Sequence, residues 1–156
     1  MNYIPSLNSL RQYFLSGATK SIDFRRSQLK KLKEVILKYE ETLNDPLFQD
    51  LRKSKEEIWI TETGLVFSEI SYFLKNIDAL AKPQKVSTNL LNLPGKSYII
   101  NEPLGVVLII APWNYPFQLS FIPLIGAIAA GNCIVLKPSE VASATESVMQ
   151  KIIAET

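Results

Sequence analysis

Residues 104–117 read LGVVLIIAPWNYPF, and this stretch predicts the type of sheet at the centre of the chain. Its first half, Leu104–Ile110, is a continuous apolar run rich in Val and Ile, which is typical of a strand covered on both faces. The loop that follows, Ala111–Pro116, carries two prolines that stiffen it. Because α/β sheets bind ligands beyond the carboxyl ends of their parallel strands, this loop is the first candidate site.

The loop places one polar side chain between two aromatic ones. Asn114 lies between Trp113 and Tyr115. A rigid loop of this kind is suited to presenting an amide as a hydrogen-bond donor to a ligand. An Asn in a turn also commonly bonds to the backbone of its own turn. The pattern alone leaves both interpretations of Asn114 open.

The residues on the carboxyl side of this loop predict a helix, a second strand and a second helix. Helix-length apolar sequence over 117–130 ends at Gly131-Asn132, which indicates a helix stop. A short buried strand over 133–136 and a helix over 143–155 follow. The order strand, helix, strand, helix predicts a parallel sheet with a right-handed crossover.

A hairpin is predicted ahead of the apolar strand. Residues 86–92 and 97–101 are β-favouring runs, and the four residues between them have Pro-Gly at their centre, a strong turn signal. Lys82-Pro83-Gln84-Lys85 marks the boundary between this hairpin and the first half of the chain.

The first half shows the spacing of apolar residues by three and four that indicates amphipathic helices. The predicted helices cover 4–16, 21–43, 47–52 and 57–81. Gly17 is placed to end the first of them. Asn44-Asp45-Pro46 is expected to separate the second from the third, because Asp is a good N-cap and proline is tolerated at the first helical position.

Charged residues are unevenly distributed along the chain. Residues 1–85 carry 25 of the 32 charged side chains, and none lies between Glu102 and Lys137. The charge-free interval is therefore buried in protein or crosses a membrane. It contains four prolines, and its purely apolar stretches are shorter than the roughly 20 residues that a span needs. We therefore expect a buried strand–loop–helix–strand and no membrane span.

Composition excludes several kinds of site. The 156 residues contain no His, which excludes Ser-His-Asp and Cys-His catalytic groups and His-based metal sites within them. One Cys cannot form an internal disulfide or a four-Cys zinc site, so no metal is expected. A net charge of +2 gives no reason to expect a nucleic-acid partner. Residues 1–10 show no secretory signal, and a lone Cys fits a reducing compartment, so a cytoplasmic location is expected.

Two segments of the chain resemble the aldehyde dehydrogenase superfamily. Residues 102–117 read EPLGVVLIIAPWNYPF, and residues 123–140 read PLIGAIAAGNCIVLKPSE. The runs Trp-Asn-Tyr-Pro-Phe and Leu-Lys-Pro-Ser-Glu are highly specific together. The short N-terminal region is similar to the class 3 branch, which includes fatty and aromatic aldehyde dehydrogenases. The resemblance covers nearly the whole chain and about the first third of a family enzyme.

The resemblance implies an incomplete α/β fold of the family. Residues 1–84 would form an N-terminal helical region, and residues 85–102 a hairpin of the oligomerisation type. Residues 103–156 would begin a Rossmann-like NAD(P)-binding domain with the first β-α-β-α of its parallel sheet. A homodimer is the expected assembly.

The resemblance also assigns roles to residues at the strand ends. Asn114 matches the oxyanion-hole asparagine, whose amide stabilises the oxygen of the thiohemiacetal. The nicotinamide side of the cofactor cleft is matched by Ile110, Ala111, Pro112 and Trp113. Lys137 and Glu140 match residues that hold the hydroxyls of the adenosine ribose; by themselves they would read as an exposed ion pair. A carboxylate repels a 2′-phosphate, so Glu140 favours NAD, while Lys137 weakens the discrimination against NADP.

The reaction that the resemblance implies needs groups that residues 1–156 do not supply. A cysteine thiolate attacks the aldehyde, and a glutamate-activated water hydrolyses the thioester to the carboxylic acid. Both groups are expected beyond Thr156, so the chain alone should be inactive. Cys133 is expected to be a buried, inert thiol.

Three other interpretations remain at this point. The chain could be a truncated, non-catalytic interaction module, a helical adaptor built on residues 1–80, or a protein that associates with a membrane through residues 103–136. The coding sequence beyond Thr156 would separate the enzyme from the truncated module.

Overall fold

The structure, a computed structural model, describes residues 6–156 and shows helices first, then a hairpin, then a β-α-β-α unit. The helices are α1 (Leu7–Leu15), α2 (Ile22–Leu51), α3 (Lys55–Ile58), α4 (Gly64–Leu80), α5 (Gln118–Ala130) and α6 (Ser143–Glu155). The strands are β1 (Gln84–Val86), β2 (Ser97–Ile99), β3 (Val106–Ile110) and β4 (Cys133–Lys137). The predicted order of elements is confirmed. The first two residues of the predicted helix 4–16 lie outside the described residues.

The second helix runs through Pro46 instead of ending there. α2 contains Pro46, so the predicted stop and the separate helix over 47–52 are wrong. Leu43 and Leu47, on either side of the proline, are fully buried. Burial of this continuous apolar stripe outweighs the one backbone hydrogen bond that proline cannot donate. The acceptor left over, the carbonyl of Thr42, belongs to an exposed residue that water can reach.

A π turn at Trp59–Thr63 joins α3 to α4, where a single helix over 57–81 was predicted. The N–H of Gly64 donates to the carbonyl of Trp59, five residues back. A Cβ at position 64 would lie 2.5 Å from that carbonyl oxygen, so this turn needs glycine there. The turn offsets the helix before it from the helix after it by one residue relative to regular α geometry.

The two predicted sheets form with the predicted directions. β3 and β4 pair in parallel from Val106↔Cys133 to Ile110↔Lys137. β1 and β2 pair antiparallel, but over only three residues each. The strand predicted over 86–92 is wrong in its bounds, because β1 shares only Val86 with it. The side chain of Asn89 accepts from the N–H of Leu91 and opens a 3-10 turn at Leu90–Asn92, which leaves those residues outside the strand.

The core is a single cluster to which helices from both halves of the chain contribute. Its fully buried members include Leu32 and Ile36 of α2, Ile70 of α4, Phe121 of α5 and Ile152 of α6. One face of the β3–β4 sheet packs on this cluster. The charge-free interval is thus a strand–loop–helix–strand, as expected. Among residues 6–156, no helix combines the length and apolarity that a membrane crossing requires.

The other face of the parallel sheet is open, which corrects the expectation of a strand covered on both faces. Leu108 and Val135 are cross-strand neighbours on that face, and they are 62% and 38% exposed. Side chains of a strand alternate between its two faces, so Cys133 shares this face with Val135. Cys133 is buried at the amino end of the sheet, where α1 contacts both strands, and the face is open from Leu108 and Val135 onward. β3 therefore carries apolar side chains on both faces, and residues 6–156 leave some of them exposed.

Candidate functional site

The loop that follows β3 is anchored at both of its ends. The N–H of Ala111 donates to the carbonyl of Lys137 over 3.0 Å and extends the parallel ladder by one bond. At the other end, Phe117 is fully buried and stacks on Phe121 with ring centroids 4.3 Å apart. Residues 112–115 between these anchors are exposed. The loop therefore presents its middle residues to solvent from a fixed frame.

Asn114 lies in this exposed middle with its side chain free. Within residues 6–156 its amide forms no hydrogen bond, while its backbone carbonyl accepts from the ammonium group of Lys53 at 3.1 Å. Of the two interpretations left open for this residue, the structure disfavours the one in which the amide bonds to its own turn. The side chain keeps both its N–H donors available to a ligand.

The carboxyl ends of the two strands bring together the residues predicted for the cofactor. Ile110 is the register partner of Lys137 and is 67% exposed. The Lys137 ammonium donates to Glu140 over 2.8 Å, which is the exposed ion pair that the residues alone suggested. This hydrogen bond, together with one from the backbone, lowers the pKa of the Glu140 carboxyl. Glu140 is therefore ionised at neutral pH and open to solvent.

All of the predicted site residues thus lie at one edge of the sheet. Ile110 ends β3, and Ala111, Pro112, Trp113 and Asn114 follow it in the loop. Lys137 ends β4, and Glu140 opens the 3-10 turn that follows, whose N-cap is the hydroxyl of Ser139. This edge combines an exposed apolar surface with a free amide and an ionised carboxylate. Such a combination can bind a nucleotide and a polar reacting group.

Beneath the loop lies a buried ion pair that the sequence analysis did not single out. Lys53 and Glu62 are 7% and 0% exposed, and their charged atoms are 2.5 Å apart. The second oxygen of Glu62 accepts from the N–H of Gln118 at 2.8 Å. The Lys53 ammonium also lies 3.9 Å from the centre of the Tyr115 ring. The pair therefore contacts the loop at three points between residues 114 and 118.

Two opposing effects act on the pKa of Glu62. Burial raises the pKa of its carboxyl, and the hydrogen bond from Lys53 acts against that rise. A signal for this residue was present in the sequence. Ile58, Glu62, Val66 and Ile70 recur at every fourth position, and the three apolar ones are buried. A carboxylate at a core position needs a cationic partner, but nothing in the spacing identifies Lys53 as that partner.

Cys133 lies at the opposite edge of the sheet from these residues. It begins β4, and its N–H donates to the carbonyl of Gly105. Its side chain is buried, which raises the pKa of the thiol above its usual value. A thiol of this kind is a poor nucleophile. In the described part of the chain, no group of three or more His, Cys, Asp or Glu residues is placed to hold a metal ion.

Sequence comparison matches the chain to one family along almost its entire length. The sequence model of the aldehyde dehydrogenase family matches residues 10–156. The chain is 47% identical to 4,4'-diaponeurosporen-aldehyde dehydrogenase of Staphylococcus aureus, over 94% of the chain and 32% of that protein. It is 45% identical to aldehyde dehydrogenase family 3 member B2 of Mus musculus, over 96% of the chain and 31% of that protein. The chain thus spans about a third of the length of these curated relatives.

Solved structures match the fold in the same proportion. The substrate-bound state of Staphylococcus aureus AldH superposes with a TM-score of 0.92 at 43% identity, covering 98% of the chain and 34% of that structure. A betaine aldehyde dehydrogenase from Staphylococcus aureus in complex with NAD+ gives a TM-score of 0.78 at 26% identity, covering 95% and 30%. A succinic semialdehyde dehydrogenase from Streptococcus pyogenes in complex with NADP+ gives a TM-score of 0.81 at 18% identity, covering 96% of the chain and 32% of that structure. At this identity the match supports the fold alone.

Proposed function

Because the chain belongs to the aldehyde dehydrogenase family, we propose that it is the N-terminal part of an NAD(P)-dependent enzyme that oxidises aldehydes to carboxylic acids. The observation that carries this proposal is Asn114, whose free amide is held on a loop anchored at both ends. The thiolate nucleophile and the general-base glutamate of the reaction would be supplied from outside residues 1–156.

Asn114 is the catalytic residue that the chain contributes. When a thiolate adds to the aldehyde carbon, the carbonyl oxygen becomes an oxyanion and needs donors at fixed positions. The Asn114 amide can donate to that oxygen without first breaking a bond to protein. A bound nicotinamide supplies the acceptor for the hydride that leaves the same carbon. Hydrolysis of the resulting thioester releases the acid.

The strand ends fit a nucleotide cofactor. Ile110, Ala111, Pro112 and Trp113 would line the nicotinamide side of the cleft, and Ile110 and Trp113 expose apolar surface there. The Glu140 carboxylate is ionised at neutral pH, as an ordinary glutamate is, and would accept from the ribose hydroxyls. The same charge repels a 2′-phosphate, so we propose NAD as the preferred cofactor. Lys137 partly neutralises that charge and leaves use of NADP open.

The proposal has a direct test. A protein that carries residues 1–156 together with the rest of a family-length chain should form NADH from an aldehyde, and the acid should appear in equal amount. Residues 1–156 by themselves should form none. If the longer protein forms neither NADH from NAD nor NADPH from NADP with any of a range of aliphatic and aromatic aldehydes, the proposed function is refuted.

We further propose how the chain is organised in that enzyme. Residues 1–84 form its helical region, residues 85–102 a hairpin that joins two copies, and residues 103–156 the beginning of the cofactor-binding domain. Leu90 and Leu91 in the hairpin are 81% and 91% exposed, which suits a surface covered by a second copy. The enzyme would then be a cytoplasmic homodimer without nucleic-acid partners. A monomer by light scattering would argue against this assembly.

The second candidate function is a truncated interaction module without catalysis. The observation that favours it is the open apolar face of the parallel sheet at Leu108 and Val135, which a partner could cover. The coding sequence beyond Thr156 distinguishes the two candidates. A stop codon there favours the module, and a continuing frame with a cysteine in a Gly-rich context favours the enzyme.

A further inference from the structure

We infer that Lys53 and Glu62 form a positioning pair that holds the Asn114 loop in its catalytic geometry. The inference rests on the proposed function, because it takes Asn114 to be the donor to the oxyanion. Neither residue would touch the substrate, since both side chains are buried under the loop. Their effect on the reaction would pass entirely through the loop.

The contacts of the pair span the catalytic residue. On one side, the Lys53 ammonium donates to the carbonyl of Asn114 itself at 3.1 Å. On the other side, Glu62 accepts from the N–H of Gln118, the first residue of α5, at 2.8 Å. The ammonium also lies over the ring of Tyr115. Because the two side chains bond to each other, displacing either one would disturb both the backbone of Asn114 and the start of α5.

Glu62 also replaces a missing helix cap. The N-cap position of α5 is Phe117, which has no side-chain oxygen to accept from the free N–H groups of the first turn. The Glu62 carboxylate fills that role from a different helix, and its negative charge is favourable at a helix N-terminus. The start of α5, and with it the end of the loop, is thus fixed by the π turn that carries Glu62.

The local backbone is built to deliver this carboxylate. Glu62 lies within the π turn that Gly64 permits, and such turns frequently mark functional sites. No other ion pair among residues 6–156 has both side chains less than a tenth exposed. The other four ion pairs of the described chain each include a side chain that is at least 40% exposed, where a charge costs little to place.

Stability alone does not account for a buried pair of this kind. Taking two charges out of water offsets most of their attraction, and well-packed apolar residues of similar size are often as stable or more so. An apolar pair would lack the directional hydrogen bonds to the carbonyl of Asn114 and from the N–H of Gln118. A role in stability and a role in positioning therefore predict different results when both charges are removed together.

The test is the double variant Lys53→Met/Glu62→Leu in the longer enzyme that carries this chain. We expect its NAD affinity to stay near that of the wild type, and its melting temperature to fall no further than the loss of the α5 cap requires. We expect kcat for aldehyde oxidation to fall about 10- to 100-fold, the size of effect that a 1 Å misplacement of a reacting group produces. The matched control is Lys38→Met/Glu155→Leu, which removes an exposed Lys–Glu pair 2.7 Å apart and should leave kcat unchanged.

A second measurement does not depend on activity. Hydrogen exchange of the backbone amides in residues 114–121 should be faster in the double variant than in the wild type and unchanged in the control. If the double variant does not fold, Glu62→Gln keeps the size of the side chain and removes the charge, and we expect the same direction of both effects. Wild-type kcat together with wild-type exchange in either variant would overturn the inference.

The two hypotheses fail separately. If the wild-type enzyme oxidises no aldehyde, the proposed function fails, whereas the exchange measurement still reports whether the pair holds the loop. If the wild type is active and the double variant is equally active, the positioning role fails and the proposed function stands.

Discussion

At the scale of single residues, the proposed role of Glu140 would put a negative charge at the position where NAD and NADP differ. A glutamate carboxyl is ionised throughout the neutral range, and the hydrogen bond from Lys137 lowers its pKa further. The neighbouring ammonium is exposed and reduces the field of the carboxylate without cancelling it. Preference between NAD and NADP would then depend on a modest electrostatic difference at an exposed site.

Glu140→Gln should shift that preference toward NADP. Water and salt screen an exposed charge, so the ratio of the two dissociation constants should change by no more than about fivefold. Titrations of both cofactors against the longer enzyme would measure it. Glu34→Gln, which alters a glutamate of α2 far along the chain from the strand ends, is the control. An unchanged ratio would mean that Glu140 does not contact the ribose.

At the scale of elements, α6 is attached to α2 at both of its ends. Asp50 accepts from the N–H of Thr145 and from its hydroxyl, each at 2.8 Å, at the start of α6. At the other end, Glu155 accepts from Lys38 and from the hydroxyl of Tyr39. The cap of α6 thus comes from another helix, since its own N-cap residue provides no side-chain bond.

Asp50→Ala should therefore loosen α6 at its start. The buried hydroxyl of Thr145 and the first N–H groups of α6 would lose their acceptor, at a cost of about 2 kcal/mol. A lower melting temperature and faster amide exchange at residues 143–146 would register the loss. Asp45→Ala, an exposed position of the same helix, should change neither. Equal melting temperatures for the two variants would remove Asp50 as the cap.

The sequence predicted some elements almost to the residue and missed others for physical reasons. β4 and α6 agree with the predicted 133–136 and 143–155 because burial and local signals coincide there. The predicted helix end before Pro46 was wrong because tertiary packing of Leu43 and Leu47 outweighed the local stop signal. The first hairpin strand was predicted too far along the chain because the Asn89 side chain bonds to the backbone of the turn that follows β1.

The location of the candidate site could be predicted from the sequence, but the buried contacts that hold its loop could not. That Asn114 follows a parallel strand could be inferred from Leu104–Pro116 alone, and the structure agrees. That Lys53 reaches its carbonyl could not, because the contact joins residues 61 positions apart through the packing of α2, α3 and α5. Long-range contacts of this type have no periodic signature in a single sequence.

At the scale of the whole molecule, the resemblance to class 3 aldehyde dehydrogenases is confirmed by the family match and by the fold. The described residues superpose on the N-terminal part of that fold, and the chain covers about a third of its relatives' length. The open part of the parallel sheet is consistent with a chain that covers about a third of its relatives' length. A sheet of two strands leaves apolar surface at Leu108 and Val135 that a complete doubly wound sheet would bury.

Residues 1–156 alone should therefore self-associate. Leu108 and Val135 form an exposed cross-strand pair on the open face, so Leu108→Ser/Val135→Ser should reduce the aggregated fraction and the binding of a hydrophobic dye. Leu15→Ser, which alters a 72% exposed leucine of α1, is the control. If the control lowers aggregation as much as the double variant, the open face is not the surface responsible.

The most direct test of the central claim is the turnover of Asn114→Ala in the longer enzyme. Loss of one oxyanion donor should lower kcat about 100- to 1000-fold and leave the dissociation constant of NAD unchanged, because the amide acts on the developing oxyanion. Asn101→Ala, an exposed asparagine outside the loop, should behave as the wild type. Wild-type turnover in Asn114→Ala, or a loss explained entirely by weaker NAD binding, would contradict the account.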